Sequence, residues 1–239
     1  MSAAELLPPL RFSDDEVCVY TGAPRPRPFF RTVIDSRDVF AERGRTVVRS
    51  RSAGEDTVEI RVEHWLKRGS MVETCRLSSG ASLRALSLSR TADDGEGECA
   101  RAESVDFTRG PVTIPATAYP EVLLPFVMRG QPFDGKRRSL HAWINDRFIA
   151  KVYYQLERRS VRVDVPAGRF MAHEIVMYPD LNDWVPMGAV LTTLARPFLP
   201  KYHMWFDESA PHRVVRFEGP YGPPGAPEVL LELSAFHHA

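Results

Sequence analysis

Histidine, tryptophan and one glutamate set in an apolar run are the side chains with which this chain could do chemistry. The histidines are His64, His141, His173, His203, His212, His237 and His238. A catalytic zinc needs three protein ligands converging on one point. No pair among the seven has a spacing that recommends it, and His237-His238 reads as a terminal tail. No metal, and no other cofactor, is expected. His141 and Trp143 share one face of the run 139–145, and His203 and Trp205 share one face of 201–206. In 169–178, Met171, His173, Ile175 and Met177 fall on one face, with Phe170, Ala172, Glu174, Val176 and Tyr178 on the other. Strands apolar on both faces need cover on both.

Trp and His each join an apolar body to a polar tip, which suits a mostly apolar ligand carrying a few polar groups. The reading therefore places Trp143, His173 and Trp205 on one apolar cavity, with His141, Tyr153 and His203 as further lining. An ordinary core, with each His and Tyr hydrogen-bonded, is the plainer alternative. Catalytic residues are not identified, and Glu174 and His173 are the weak candidates. Apolar neighbours would raise the pKa of an inward-facing Glu174 and suit it to acid–base work. An arginine partner would remove that role, and carboxylates are seldom fully buried, so surface placement is the expectation.

Familiar catalytic signatures are missing. There is no G-x-x-x-x-G-K-[ST], G-x-G-x-x-G, G-x-S-x-G or H-E-x-x-H, so nucleotide, hydrolase and zinc-protease readings lose their usual support. Cys18, Cys75 and Cys99 are widely spaced and odd in number, and read as free structural thiols. Lys+Arg and Asp+Glu are both 31, so no basic excess points to nucleic acid. The cluster Lys136-Arg137-Arg138 reads as a solvated turn. The first ten residues lack a basic n-region and a long apolar h-region. No run approaches 18 apolar residues. The expectation is a cytoplasmic protein with no transmembrane segment.

The elements that would position these residues are strands. In Thr57–Glu63, Val58, Ile60 and Val62 alternate with charge, and Val161–Val165 behaves alike. Period-two patterning is the signature of half-buried strands. Further strands are expected at 16–21, 29–35, 45–51, 70–77, 82–90, 99–107, 139–145, 148–157, 169–178, 201–206, 212–218 and 228–235. Turn-forming residues separate many of them, as in Asp93–Gly97 and Pro166–Gly168. Pro120–Met128 reads as a short helix that Pro125 would kink or end, and 185–194 as a second short helix. The Pro/Gly run 219–227 reads as a stiff loop. The fold expected is mainly β: a strongly curved antiparallel sheet or open β-barrel with one or two short helices, in a single domain over 1–239.

Two stretches, 121–178 and 200–235, resemble the bacterial domain of unknown function 3108. The likeness lies in Arg129-Gly-Gln-Pro-Phe-Asp-Gly135, the strand Leu140-His-Ala-Trp-Ile-Asn-Asp146, the entry Val163-Asp-Val-Pro-Ala-Gly-Arg-Phe170, and Tyr202-His-Met-Trp-Phe-Asp207 followed by 211–218 and a strand ending near Leu233. The resemblance implies a lipoprotein-carrier type of fold, a curved sheet wrapping a helix around an apolar groove. It brings no catalytic residues. The function expected is binding of a hydrophobic or amphipathic small molecule inside the sheet. The alternatives are a cofactor-independent cyclase or isomerase using that pocket, and a structural or interaction module.

Overall fold

The computed structural model describes residues 3–12, 15–25, 44–65, 69–93, 95, 99–109, 112–180, 201–220 and 228–238. These form one 13-stranded sheet. Its first half comprises β1 (Glu16–Arg25), β2 (Gly44–Gly54), β3 (Thr57–Trp65), β4 (Ser70–Ser79), β5 (Leu83–Asp93) and β6 (Cys99–Asp106). Its second half comprises β7 (Ala118–Pro120), β8 (Arg138–Asn145), β9 (Phe148–Val165), β10 (Gly168–Pro179), β11 (Tyr202–Asp207), β12 (Val214–Pro220) and β13 (Glu228–His238). The order across the sheet is β6-β5-β4-β3-β2-β1-β13-β12-β11-β10-β9-β8-β7. Every pairing is antiparallel except β7 with β8, which is parallel. The expected strands are therefore found wherever the structure describes them. The candidates at 29–35 and 185–194 lie outside the described residues, as do 221–227 of the expected loop, whose first two residues, Gly219 and Pro220, instead complete β12 against β13.

Alternation builds the interior. On β3, Val58, Ile60 and Val62 are buried, and across the register Val48 and Cys75 join them. Glu59, Arg61 and Glu63 point the other way, where Arg49 and Arg51 pair with them. The turn 166–168 has its physical reason in Gly168, whose φ of 134° is open only to glycine.

Inside the curve lies a short helical segment. A 3-10 turn at Glu121–Leu123 leads into α1 (Leu124–Val127) and a second 3-10 turn at Met128–Gly130. Leu123, Leu124, Val127 and Met128 are fully buried against strands of both halves. Pro125 does not kink or end this helix. It sits in the first turn of α1, where its missing N–H has no acceptor to lose.

The sheet does not close by strand pairing. Its two ends meet where β5 runs past the end of β6. There the Tyr119 hydroxyl donates to the Leu83 carbonyl at 2.7 Å. The chain's beginning straps this seam. Glu5 N–H bonds to Ser139 O of β8 at 2.8 Å, and Leu83 N–H of β5 bonds to Leu7 O at 2.8 Å. Leu7 N–H bonds to the Tyr119 hydroxyl at 3.1 Å, and the Ser79 hydroxyl of β4 donates to Leu10 O. Leu7 and Leu10 are buried, each contributing about 1.5–3 kcal/mol of apolar burial. Gly130 allows the close approach: a Cβ there would lie 2.9 Å from the Leu10 side chain.

Candidate functional site

Three polar clusters are set into this frame, two of them on residues the sequence reading passed over. The first lies at the end of the interior helical segment. Arg129 and Arg213 both grip the buried carboxylate of Glu16. Arg129 approaches Oε1, and Arg213 Nε donates to Oε2 at 2.6 Å. Arg129 Nε also donates to Pro211 O at 2.9 Å, and the Phe12 ring lies 5.2 Å from its guanidinium. Burial alone would raise the Glu16 carboxyl. The hydrogen bonds and charges of Arg129 and Arg213 outweigh it and hold the group below the usual range.

Beside that cluster sits His173 of β10. Phe133 packs between His173, at 4.7 Å between ring centres, and His212, at 5.1 Å. His173 Nε2 lies 4.0 Å from Glu208, whose Oε1 accepts the Ser160 hydroxyl at 2.6 Å. Its Nδ1 is buried without a hydrogen-bond partner. Burial lowers the His173 pKa, Glu208 opposes this, and His212 and Arg159 add to the lowering. The imidazole is thereby biased to its neutral form. Ser160 and His212 adopt φ of 49° and 55°, left-handed conformations costing on the order of 1 kcal/mol each. The serine faces the carboxylate and not the histidine, so the geometry lacks the nucleophile–base contact of a hydrolytic triad.

The third cluster is on the inner face of β4 and β5. Glu73 is fully buried, 0% exposed. Arg90 Nε donates to its Oε1, and Arg90 Nη1 reaches Glu103 at 3.4 Å. Glu73 Oε2 has no hydrogen-bond partner, a deficit of about 1–3 kcal/mol. Burial raises its pKa, Arg90 pulls it back in part, and Glu103 adds to the rise. One row away, the Thr46 hydroxyl and His64 Nδ1 are 3.0 Å apart. Burial pushes the His64 pKa down to about 3, so the ring is neutral.

The residues proposed from sequence are dispersed among several neighbourhoods. His203 and Trp205 stack at 5.9 Å on the face opposite Met204 and Phe206, next to Glu174. Glu174 is not at the surface: it is 2% exposed. Arg158 Nε donates to its Oε2, and His203 Nδ1 lies 2.8 Å from its Oε1. Both oxygens are occupied, and the arginine partner removes the acid–base role. The expected surface position fails because the outward face of β10 and β11 is itself covered, Trp205 being only 8% exposed. Trp143 packs edge-on to Phe107 at 5.3 Å, with its buried Nε1 unpartnered. His141 Nδ1 lies 2.7 Å from the Thr117 hydroxyl. The Tyr153 hydroxyl donates to Asp180 at 2.7 Å, with the Arg137 guanidinium 3.9 Å above the ring. The turn at 136–138 is thus engaged as well as solvated. Cys18 and Cys75 are free and buried, and burial pushes both thiols up, Cys18 to about 12. Among the described residues no group of three or more ligating side chains could hold a metal. Nor is any helix there long and apolar enough to cross a membrane.

A signal for the missed residues exists in the sequence. Glu16, His64 and Glu73 occupy the apolar phase of alternating strands, in step with Cys18, Val62 and Cys75 respectively. A polar residue in that phase must be buried by the same rule that buries its neighbours.

No family model matches the chain, and no curated protein matches it. Among solved structures, a β-barrel-like protein of the domain of unknown function DUF1849 from Brucella abortus is similar over 95% of this chain and 98% of its own, at 9% identity and a TM-score of 0.45. A "putative lipoprotein" from Parabacteroides distasonis is similar over 99% and 100%, at 9% identity and a TM-score of 0.28. The chain's own architecture is a curved, mostly antiparallel sheet of 13 strands around one short helical segment.

Proposed function

We propose that this protein binds a hydrophobic or amphipathic small molecule in the interior of its curved sheet. Kinship with the domain of unknown function 3108 is part of the same proposal and rests on the motifs of residues 129–170 and 202–218. The observation that carries the reading is the seam. Among the described residues, strand pairing holds twelve of the sheet's junctions, but the strap 3–12, the Tyr119–Leu83 contact and the Phe107–Trp143 ring contact hold the last. An apolar interior can therefore be reached by lifting a short segment, with no strand ladder broken. Opening a ladder would expose a row of backbone groups at once, whereas the strap releases only a few hydrogen bonds and two leucines.

The test uses the apolar fluorophore Nile red, which has no hydrogen-bond donor. It binds the wild-type protein saturably, and replacing Leu7 with Ala speeds its uptake while costing about 2–4 kcal/mol of stability. Absence of saturable binding in both proteins overturns the reading.

A further inference from the structure

We infer that Glu73 is the recognition point for the head group of the interior ligand, and that this head group is a hydrogen-bond donor, an alcohol or an amine on an apolar body. The inference rests on the binding reading above and names the class of molecule bound.

Three observations converge on it. Glu73 stands on the inner face of the sheet, opposite Val62 on one side and Arg90 on the other. Its neighbours along that face, Val62, Cys75 and Leu88, are buried and apolar. The one donor among them, the Cys75 thiol, is turned to Arg76 O. Arg90 occupies one carboxylate oxygen and leaves Oε2 without a partner. Buried polar atoms in native proteins are nearly always satisfied, so a persistent exception calls for a functional account. Finally, the cluster reaches solvent: the Arg90 and Glu103 side chains are 21% and 25% exposed, while Glu73 is wholly covered. Arg90 holds the carboxylate by Oε1 and leaves Oε2 without a partner in a strand face of buried apolar side chains. A donor arriving there completes the carboxylate's hydrogen bonds, and the ligand's apolar body lies along Val62 and Leu88. An acid head group would meet like charge.

The other unpartnered buried atoms fit less well. Gln131 Nε2, Trp143 Nε1 and Arg216 Nε are donors and offer no acceptor to an incoming hydroxyl or amine, and His173 Nδ1 lies among Phe133, Glu208 and His212, which already engage the ring.

The experiment is displacement of bound Nile red, which carries no hydrogen-bond donor, by dodecanol, dodecylamine and laurate at matched ionic strength. In the wild type at least one of the first two displaces the probe at about tenfold lower concentration than laurate, the worth of one good buried hydrogen bond. The stronger of the two tells alcohol from amine. Glu73→Gln is the discriminating variant. Its carbonyl keeps the bond from Arg90, so its NH2 takes the Oε2 position and turns an acceptor into a donor. The variant keeps probe binding and loses the preference. Should Glu73→Gln fail to fold, the double variant Glu73→Leu/Arg90→Leu removes both charges together and is read the same way. Saturable probe binding with no preference for donor heads in the wild type overturns the inference and leaves interior binding standing, as does a preference that survives in the variants. Absence of probe binding overturns both.

Discussion

The strands of the two halves place their buried carboxylates on opposite faces of the sheet. In β1–β6 the outer face is a ladder of exposed ion pairs, Arg49, Arg51 and Arg61 with Glu59 and Glu63, while Glu16, His64 and Glu73 are hidden on the inner face. In β8–β12 the outer-facing Glu174, Tyr153 and Trp205 are themselves buried, and the inner residues Met204 and Phe206 are apolar. The half richest in His, Trp and Tyr is thus the half whose outer polar groups are held by partners. Glu174 and Glu73 show the difference directly. Both are buried carboxylates on middle strands, but Glu174 has a partner on each oxygen and Glu73 on one only. The unmet hydrogen bond at Glu73 is the observation on which the proposed recognition point rests.

The comparison is broken most severely at Glu16. Glu16→Gln leaves two guanidiniums buried against one neutral amide. The expected cost is about 3–5 kcal/mol, because removing one partner of a buried ion cluster strands the others. Urea unfolding of the variant measures it. The sign with pH is fixed by the lowered pKa of Glu16. Its contribution is present above the unfolded-state value of about 4.3 and is lost as pH falls through the lower folded value. The variant lacks that acid-side loss. A cost below about 1 kcal/mol would place the cluster in water and not in the interior.

Glu174→Gln sharpens the contrast at a smaller scale. Arg158 keeps 61% of its side chain exposed, so the freed guanidinium turns to solvent and is not stranded. The expected loss is about 1–2 kcal/mol, that of a partly screened pair with its hydrogen bonds. Probe binding is unchanged, since Glu174 faces away from Met204 and Phe206. Altered probe affinity in this variant would return the site to the outer face of β10 and β11.

Alternation made the strands legible, because a half-buried strand must repeat every two residues. It identifies Val58, Ile60 and Val62 as core from the pattern alone. It did not reveal β7, a three-residue strand whose sequence Ala-Tyr-Pro has no period to show. Nor did it reveal the strap, because 3–12 bonds to β4, β5, β7 and β8 through separate loops and side chains, and no local pattern records such partners. Trp143, His141 and Tyr153 were found as amphipathic residues on β8 and β9, but which groups would satisfy them depended on Phe107, Thr117 and Asp180, far along the chain. Glu73 has no motif to mark it, although it keeps the phase of Cys75 and Leu77.

The smallest effect is expected at Glu73 itself, and its direction is opposite to that at Glu16. Glu73→Gln keeps the Arg90 bond and removes a carboxylate that burial already disfavours, so near neutral pH stability changes by no more than about 1 kcal/mol. The pH dependence is the sharper reading. The raised pKa of Glu73 means that the folded chain holds this proton more tightly than the unfolded chain does. Its contribution to stability is therefore fully present below the unfolded value of about 4.3 and is lost as pH rises through the higher folded value. The stability difference, wild type minus variant, should fall as pH is raised from about 4 toward 7, while the same difference for Glu16→Gln rises over the acid side of that range. Urea titrations of the three proteins across this interval give both slopes. A difference at Glu73 that rises with pH would mean that its carboxylate is better stabilised folded than unfolded. Its open oxygen would then be satisfied within the protein, and the distinction between Glu73 and the fully partnered carboxylates would disappear.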